Sequence, residues 1–320
     1  MSPDALDTQD SLLARLERLR ANIDRVFLGK PAAVTQVLVG LMSRGHLLIE
    51  DVPGVGKTVL ARALAKSLDL SFSRIQLTPD LLPSDILGVS IYDTATGTFE
   101  FKKGPIFANV VLADEINRTT PRTQSALLEA MNEAQVSVDG RTFRLDSPFL
   151  VIATQNPFEF EGTYFLPENQ LDRFAVRIRI GYPARDVEMR IIREQPAQVA
   201  LEALQPVMRR DELIDIQERV PEVKVDDRLV HYALDLVEVT RDHEHLEVGV
   251  SPRGTISLIR AAQAAAMLAG RDFVIPDDIK SLFIPVCAHR VVSKSYLHDG
   301  HTVSSEQVLA DIMRNVTVPE

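Results

Sequence analysis

The stretch Glu50-Asp51-Val52-Pro53-Gly54-Val55-Gly56-Lys57-Thr58 sets two glycines, a lysine and a threonine between an apolar run, His46–Ile49, and an amphipathic one, Val59–Leu68. Strand, glycine loop and helix are the context a phosphate-binding loop requires. The glycines let backbone amides converge on phosphate oxygens, and the helix N-terminus adds positive partial charge. On this reading Pro53, Gly54, Val55, Gly56, Lys57, Thr58 and Val59 cradle a nucleotide. Lys57 bridges its β- and γ-phosphates, and the Thr58 hydroxyl holds Mg²⁺. Asp51 stands where the strict pattern puts its first glycine. The alternative is an ordinary glycine-rich turn, and the strand before it and helix after it weigh against that.

Two more apolar runs end in polar tips. Val110-Val111-Leu112-Ala113 leads into Asp114-Glu115. Paired carboxylates at the end of a buried strand are costly unless they meet a cation or a water to be activated. Asp114 is expected to bind Mg²⁺ through its water shell, and Glu115 to polarise an attacking water as general base. Asp-Glu pairs are common on surfaces, so it is the strand end that gives this one weight. Leu150-Val151-Ile152-Ala153 leads into Thr154-Gln155-Asn156-Pro157. Asn156 could orient the water or touch the γ-phosphate. Alone, Asn-Pro reads as turn chemistry, and only the other two segments favour a functional role.

These tips need a scaffold. The three apolar runs, with a last one near Ala175–Ile180, are short and almost wholly apolar, as strands covered on both faces are. Helical stretches at Val59–Leu68 and Thr123–Glu133 separate the first three. That alternation implies parallel strands with right-handed crossovers, a three-layer α/β core. Ahead of it, beyond an acidic tail expected to fray, Leu12, Leu16, Leu19, Ile23 and Phe27 recur at helical spacing over Ser11–Phe27. Gly29 ends that helix, and Pro31–Ser43 forms another. Past Tyr182-Pro183 the pattern turns helical: Asp186–Glu194, Asp211–Glu218, Asp226–Thr240, Arg253–Leu268 and Asp277–Ala288. Several begin with Asp, Ser or Pro, which suit the orphan amides of a helix start. Residues 1–183 are read as an α/β nucleotide-binding core and 184–320 as a smaller all-α domain.

Composition agrees with a folded protein of about two domains at ~100–200 residues each. The chain has 320 residues, 45% hydrophobic and 25% charged, which excludes disordered, collagen-like and disulfide-scaffold classes. A net charge of −10 speaks against a general nucleic-acid binder. The single cysteine, Cys287, lies in an apolar helix and reads as a small core residue of a protein in a reducing compartment. Met1–Asp10 carries three Asp and no Lys or Arg, unlike a secretory signal. No run approaches the ~18 apolar residues of a membrane span, so a cytoplasmic protein without membrane insertion is expected. His243 with His245 and His298 with His301 have metal-compatible spacing but no cysteine or carboxylate cage, and read as solvated loop histidines.

The three tips, in this order, resemble Walker A, Walker B and sensor 1 of an AAA+ ATPase. The MoxR branch is the most similar. It is matched by Asp114-Glu115-Ile116-Asn117-Arg118, by Thr123-Gln124-Ser125-Ala126-Leu127-Leu128-Glu129-Ala130-Met131, and by Ala153-Thr154-Gln155-Asn156-Pro157. Glu161-Gly162-Thr163-Tyr164, Leu166-Pro167-Glu168 and Leu171-Asp172-Arg173-Phe174 extend the likeness. Asp51 fits the MoxR form of the loop, and Phe165 stands where this branch often has Pro. The resemblance implies an AAA+ P-loop αβα core with a helical lid. It also implies Mg²⁺-dependent ATP hydrolysis in a homo-oligomeric ring, a hexamer, acting as a chaperone-like motor. Arg173 resembles the arginine finger that completes a neighbour's site; the alternative is a structural arginine paired with Asp172 or Glu168. Arg253, in Gly249-Val250-Ser251-Pro252-Arg253, resembles sensor 2, reporting γ-phosphate to the lid. Val26 and Gly29 fall in the region that cradles adenine.

Gly88–Gly104, with Tyr92, Phe99 and Phe101, and Val136–Phe149 read as two hairpin inserts. They could face a ring's pore or pack on their own domain. The family further implies a partner carrying a von Willebrand factor A domain. Two other readings stay open: a nucleotide-gated scaffold with little turnover, and a DNA-directed motor. With core and lid using the 320 residues, client recognition is expected from the hairpins, the outer surface or another protein.

Overall fold

Leu47, Ile49, Val110, Leu112, Ile152, Val176 and Ile178 fall in one hydrophobic cluster, while Leu48, Val111, Ala113, Val151, Ala153 and Phe174 fall in a second. Alternate residues of the same strands feed opposite faces, as a strand's two-residue period dictates. The computed structural model describes residues 3–157, 163–294 and 304–319, with side chains from residue 12 onward. Glu161, Gly162, His298 and His301 lie outside the described residues.

In chain order, α1 (Pro3–Asp24) and α2 (Pro31–Met42) lead into β1 (His46–Glu50), α3 (Lys57–Ser67), β2 (Phe72–Gln76) and α4 (Pro83–Leu87). A hairpin, β3 (Gly88–Asp93) and β4 (Thr98–Lys103), precedes β5 (Val110–Asp114) and α5 (Pro121–Glu133). A second hairpin, β6 (Gln135–Val138) and β7 (Arg141–Arg144), precedes β8 (Leu150–Gln155), α6 (Glu168–Leu171) and β9 (Phe174–Ile178). The helical part holds α7 (Arg185–Glu194), α8 (Ala200–Ala203), α9 (Arg210–Arg219), α10 (Asp227–Arg241), α11 (Pro252–Leu268), α12 (Pro276–Cys287) and α13 (Ser305–Asn315). Between its helices a two-stranded ribbon pairs β10 (Leu246–Val248) with β11 (Val292–Ser293).

The main sheet has the order β2-β5-β8-β1-β9, with all pairings parallel. This is the expected α/β core followed by a helical domain. Three features depart from the sequence reading. The sheet has a fifth strand, β2, whose pattern is mostly polar because it is an edge and is not covered as the central strands are. Helix α1 begins at Pro3, so the acidic start is helical instead of frayed. The short α8 and the C-terminal α13 are additional.

The two parts share one core. Leu16 of α1, Leu47 of β1, Leu213 of α9, Leu258 of α11 and Phe283 of α12 belong to a single buried cluster. The opposite sheet face packs against α4, α5 and the second hairpin through Ile86, Leu128 and Val136. The two hairpins meet where Phe101 stacks on Phe143 with centroids 4.1 Å apart. Tyr92 and Phe99 of the first stay exposed. Cys287 is fully buried, and burial pushes its thiol up to about 12. Among the described residues no helix is long and apolar enough to cross a membrane.

Candidate nucleotide site

The loop after β1 turns on two left-handed residues, Gly54 (φ 86°) and Gly56 (φ 95°), the latter capping α3. A side chain is disfavoured at both, and at Gly56 a Cβ would also press to 3.0 Å from the Phe27 ring. Lys57 Nζ donates to the Asp51 carbonyl at 2.6 Å, folding the lysine back over the loop. Asp51, the residue that breaks the strict glycine pattern, has structural work of its own. Its Oδ1 accepts from Val52 N at 2.8 Å, and its Oδ2 accepts from Ile180 N and Gly181 N, both at 2.6 Å. The loop is thereby fastened to the chain leaving β9.

A cleft of about 330 Å³ beside this loop is lined by Pro53, Gly54, Gly56, Lys57, Thr58, Val59, Asp114, Glu115 and Asn156, together with Arg74 and Gln76. Strands β1, β5 and β8 are neighbours and parallel, so their C-terminal tips converge here. Val55 turns inward and packs against the core instead. Glu115 sits in the left-handed region (φ 59°), a strained position for a non-glycine residue and one common at functional sites. Its Oε2 accepts from Gln76 Nε2 at 2.9 Å and from Arg118 Nη1 at 3.3 Å. Asp114 Oδ1 accepts from the Thr154 hydroxyl at 2.6 Å, while Oδ2 takes Arg74 Nη2 at 2.6 Å and Nε at 3.1 Å. Thr154 Oγ1 in turn accepts from Glu115 N at 2.9 Å, so one hydroxyl ties both carboxylate residues to β8. Arg74, Gln76 and the Thr154 hydroxyl were missed in the sequence. The first two ride on the unrecognised strand β2.

The arginines lie elsewhere. Arg173 and Arg253 line a separate pocket with Gly45, His46, Asn132 and Asp172. His46 opens β1 and pairs with Phe174 at the start of β9, whereas the glycine loop follows the other end of β1. Five residues of strand at ~3.3 Å each put about 16 Å between these two edges. Arg173 Nη1 donates to the Leu128 carbonyl at 2.7 Å, and Arg253 Nη2 to Asn132 Oδ1 at 2.9 Å. Asp172 spends its carboxylate on Arg290 and Ser251 instead of Arg173. The structure therefore brings Arg253 to Arg173 and not to the cleft of its own chain. In the arginine pocket, buried His46 uses both ring nitrogens: Nε2 meets the Met131 carbonyl at 2.8 Å, and Nδ1 accepts from Val151 N at 3.0 Å. Burial chiefly, with Arg253 adding, lowers its pKa to about 4.

Val26 is buried in the core, and Gly29 (φ 71°) abuts Val187, where a Cβ would stand 2.7 Å from a methyl. Lys30 Nζ donates to the Tyr182 carbonyl at 2.7 Å, closing this corner next to the loop. His243 and His245 are neighbours with ring centroids 5.6 Å apart.

A parallel sheet in this order, with a glycine loop after β1 and a carboxylate pair after β5, defines a P-loop nucleotide-binding protein with an attached helical lid. Residues 46–176 match the model of the ATPase family associated with various cellular activities, and residues 238–312 match that of the AAA lid domain. Chaperone MoxR1 of Mycobacterium tuberculosis is 41% identical over 95% of this chain and 82% of its own length. The Bacillus subtilis protein YeaC, of uncharacterised role, is 49% identical over 97% of both chains. A crystal structure of a candidate ATPase from Cytophaga hutchinsonii superposes with a TM-score of 0.91 at 37% identity, covering 99% of this chain and 98% of that one. The chain belongs to the MoxR family of AAA+ ATPases.

Proposed function

We propose that this chain hydrolyses ATP at a site shared between two copies of itself, and uses the cycle to remodel or assemble a partner protein. The observation that carries this reading is the separation of its parts. Lys57, Thr58, Asp114, Glu115 and Asn156 line one cleft, while Arg173 and Arg253 sit at the opposite ends of the same strands. A copy docked head to tail in a ring would present its arginines to its neighbour's cleft. Heterologous contacts of this kind close into rings, with the expected hexamer one such closure.

In the cleft, the Gly54–Thr58 loop and the start of α3 receive the phosphates, and Lys57 exchanges its Asp51 contact for a phosphate oxygen. Thr58 and Asp114 offer hard oxygen donors on one side of the cleft, the set a divalent magnesium ion takes. Mg²⁺, when bound with ATP, would neutralise charge on the phosphates. Glu115, held by Gln76, accepts a proton from the attacking water, and Asn156 orients that water. Arg173 and Arg253 of the adjacent copy stabilise the charge that spreads over the γ-phosphoryl oxygens; an arginine supplied in trans contributes about 10³–10⁵ in rate. Arg253 thus serves a neighbour's nucleotide, where the sequence alone suggested a report to its own lid. We place the border between the nucleotide-binding and lid parts at residue 183, in the connection from β9 to α7.

The client comes with the family reading: a protein carrying a von Willebrand factor A domain. Glu115→Gln tests the chemistry and the client together. Turnover should fall by at least a hundredfold while a fluorescent ATP analogue still binds, and the trapped protein should retain the client on a column. Unchanged turnover would overturn the general-base assignment. Steep, salt-dependent DNA binding would favour the DNA-directed motor instead.

A further inference from the structure

Asp172 sits at a junction that the reaction described above does not use. One carboxylate oxygen, Oδ1, accepts from Arg290 Nε at 2.7 Å, and the other, Oδ2, accepts from the Ser251 hydroxyl at 3.0 Å. Ser251 is the N-cap of α11, its Oγ also accepting from Gly254 N at 3.1 Å, and Arg253 lies in the first turn of that helix. Arg173 is the next residue after Asp172. The carboxylate carried by the residue next to the first arginine is therefore bonded to the cap of the helix that carries the second.

Arg290 makes the junction rigid. Its side chain is 1% exposed, and its guanidinium also donates to the carbonyls of Phe174 at 2.7 Å, Ala175 at 3.2 Å and Val286. These contacts join the start of β9 to the end of α12. The guanidinium passes under α11 at Gly254, where a Cβ would come within 2.9 Å of Arg290 Cδ. A buried guanidinium with its donors occupied has few alternative positions, because moving it would strand several hydrogen bonds at once.

We propose that Asp172 is a positioning residue, and that its pairing with Arg290 and Ser251 makes Arg173 and Arg253 act as one unit on a neighbouring subunit. This rests on the trans reading of those arginines given above. The two arginines then move together when the lid moves, and a disturbance of the junction damages the site of the next subunit more than the site of the subunit that carries it.

The experiment uses rings mixed from two full-length chains. Lys57→Ala chains have a dead site but intact arginines and act as donors. Arg173→Ala chains have an intact site and act as receivers. Asp172→Asn is added to the donor or to the receiver, and steady-state ATP hydrolysis of the mixture is measured. The proposal expects a loss at least tenfold larger with the change in the donor than in the receiver. Equal losses, or no loss from the donor, would overturn it. Because Asp172→Asn could impair folding, Ser251→Gly is run in parallel. Glycine still caps a helix at little cost, so this change removes the link to Asp172 with the helix start retained. It should reproduce the donor bias more weakly, and an even effect would count against the clamp. If the parent mixture gains no activity at all, the trans reading fails and the clamp falls with it. A gain in the parent mixture with no donor bias rejects the clamp alone.

Discussion

Leu128 and Asn132 lie one helical turn apart on α5, and each holds one of the arginines absent from the chain's own cleft. The Leu128 carbonyl accepts from Arg173 at 2.7 Å, and Asn132 Oδ1 accepts from Arg253 at 2.9 Å. The same helix begins just past Glu115, and its Gln124 donates to the Ile116 carbonyl at 3.0 Å. A change at the carboxylate pair can therefore reach Arg173 and Arg253 through a single helix.

Asp51→Gly would restore the strict phosphate-loop pattern, yet it should destabilise the protein. The Ile180 and Gly181 amides would lose their acceptor, and each stranded donor costs ~1–3 kcal/mol, about 2–6 kcal/mol together. Denaturant unfolding should show this loss, with Asp51→Asn intermediate because it can accept but carries no charge. Stability equal to the parent would mean that the loop does not depend on its link to β9.

Arg74→Ala should lower the Mg²⁺ concentration that half-saturates ATP hydrolysis. Arg74 competes for Asp114 Oδ2, but its side chain is 49% exposed, so the pair is worth no more than ~1 kcal/mol and the shift should be about two- to fivefold. A rise in the Mg²⁺ requirement would show that Arg74 supports the cation instead of competing with it.

Acid should weaken the fold through His46. The folded chain keeps this ring neutral, because Nδ1 already accepts the Val151 amide and burial lowers its pKa to about 4. The unfolded chain takes up a proton near the ordinary histidine value of about 6.5, so stability is full above that pH and falls as pH drops from there towards 4. At ~1.4 kcal/mol per unit the whole window is worth roughly 3 kcal/mol. Buried His289 is shifted in the same direction, chiefly by desolvation. Melting temperatures measured across this window should fall less steeply for His46→Gln than for the parent; identical slopes would contradict the assignment.

How much of this was legible in the sequence follows from burial. Strands β1, β5 and β8 are almost wholly apolar up to their polar C-terminal ends because both their faces are covered, so their tips, and with them Lys57, Asp114, Glu115 and Asn156, could be located directly. Strand β2 is an edge, and Ser73, Arg74 and Gln76 interrupt its pattern. The two side chains that hold Asp114 and Glu115 went unseen with it. Arg253 carried a recognisable motif, but its motif does not encode which end of the sheet its helix packs against. That depends on the shared core of α2, α11 and β9, a long-range contact with no local signature. Asp51 looked like a lapse from a pattern, and only the return of the chain at Ile180 and Gly181 gives it a role.

The central claim is that each site is completed by arginines of an adjacent copy. Its most direct test is hydrolysis by mixtures of Lys57→Ala and Arg173→Ala chains, each nearly inactive alone. If the arginine acts in trans, mixing should produce activity well above the sum of the two, greatest near equal proportions, as intact sites meet intact arginines. Rings that form normally but show no gain on mixing would return Arg173 to a purely structural role and contradict the account.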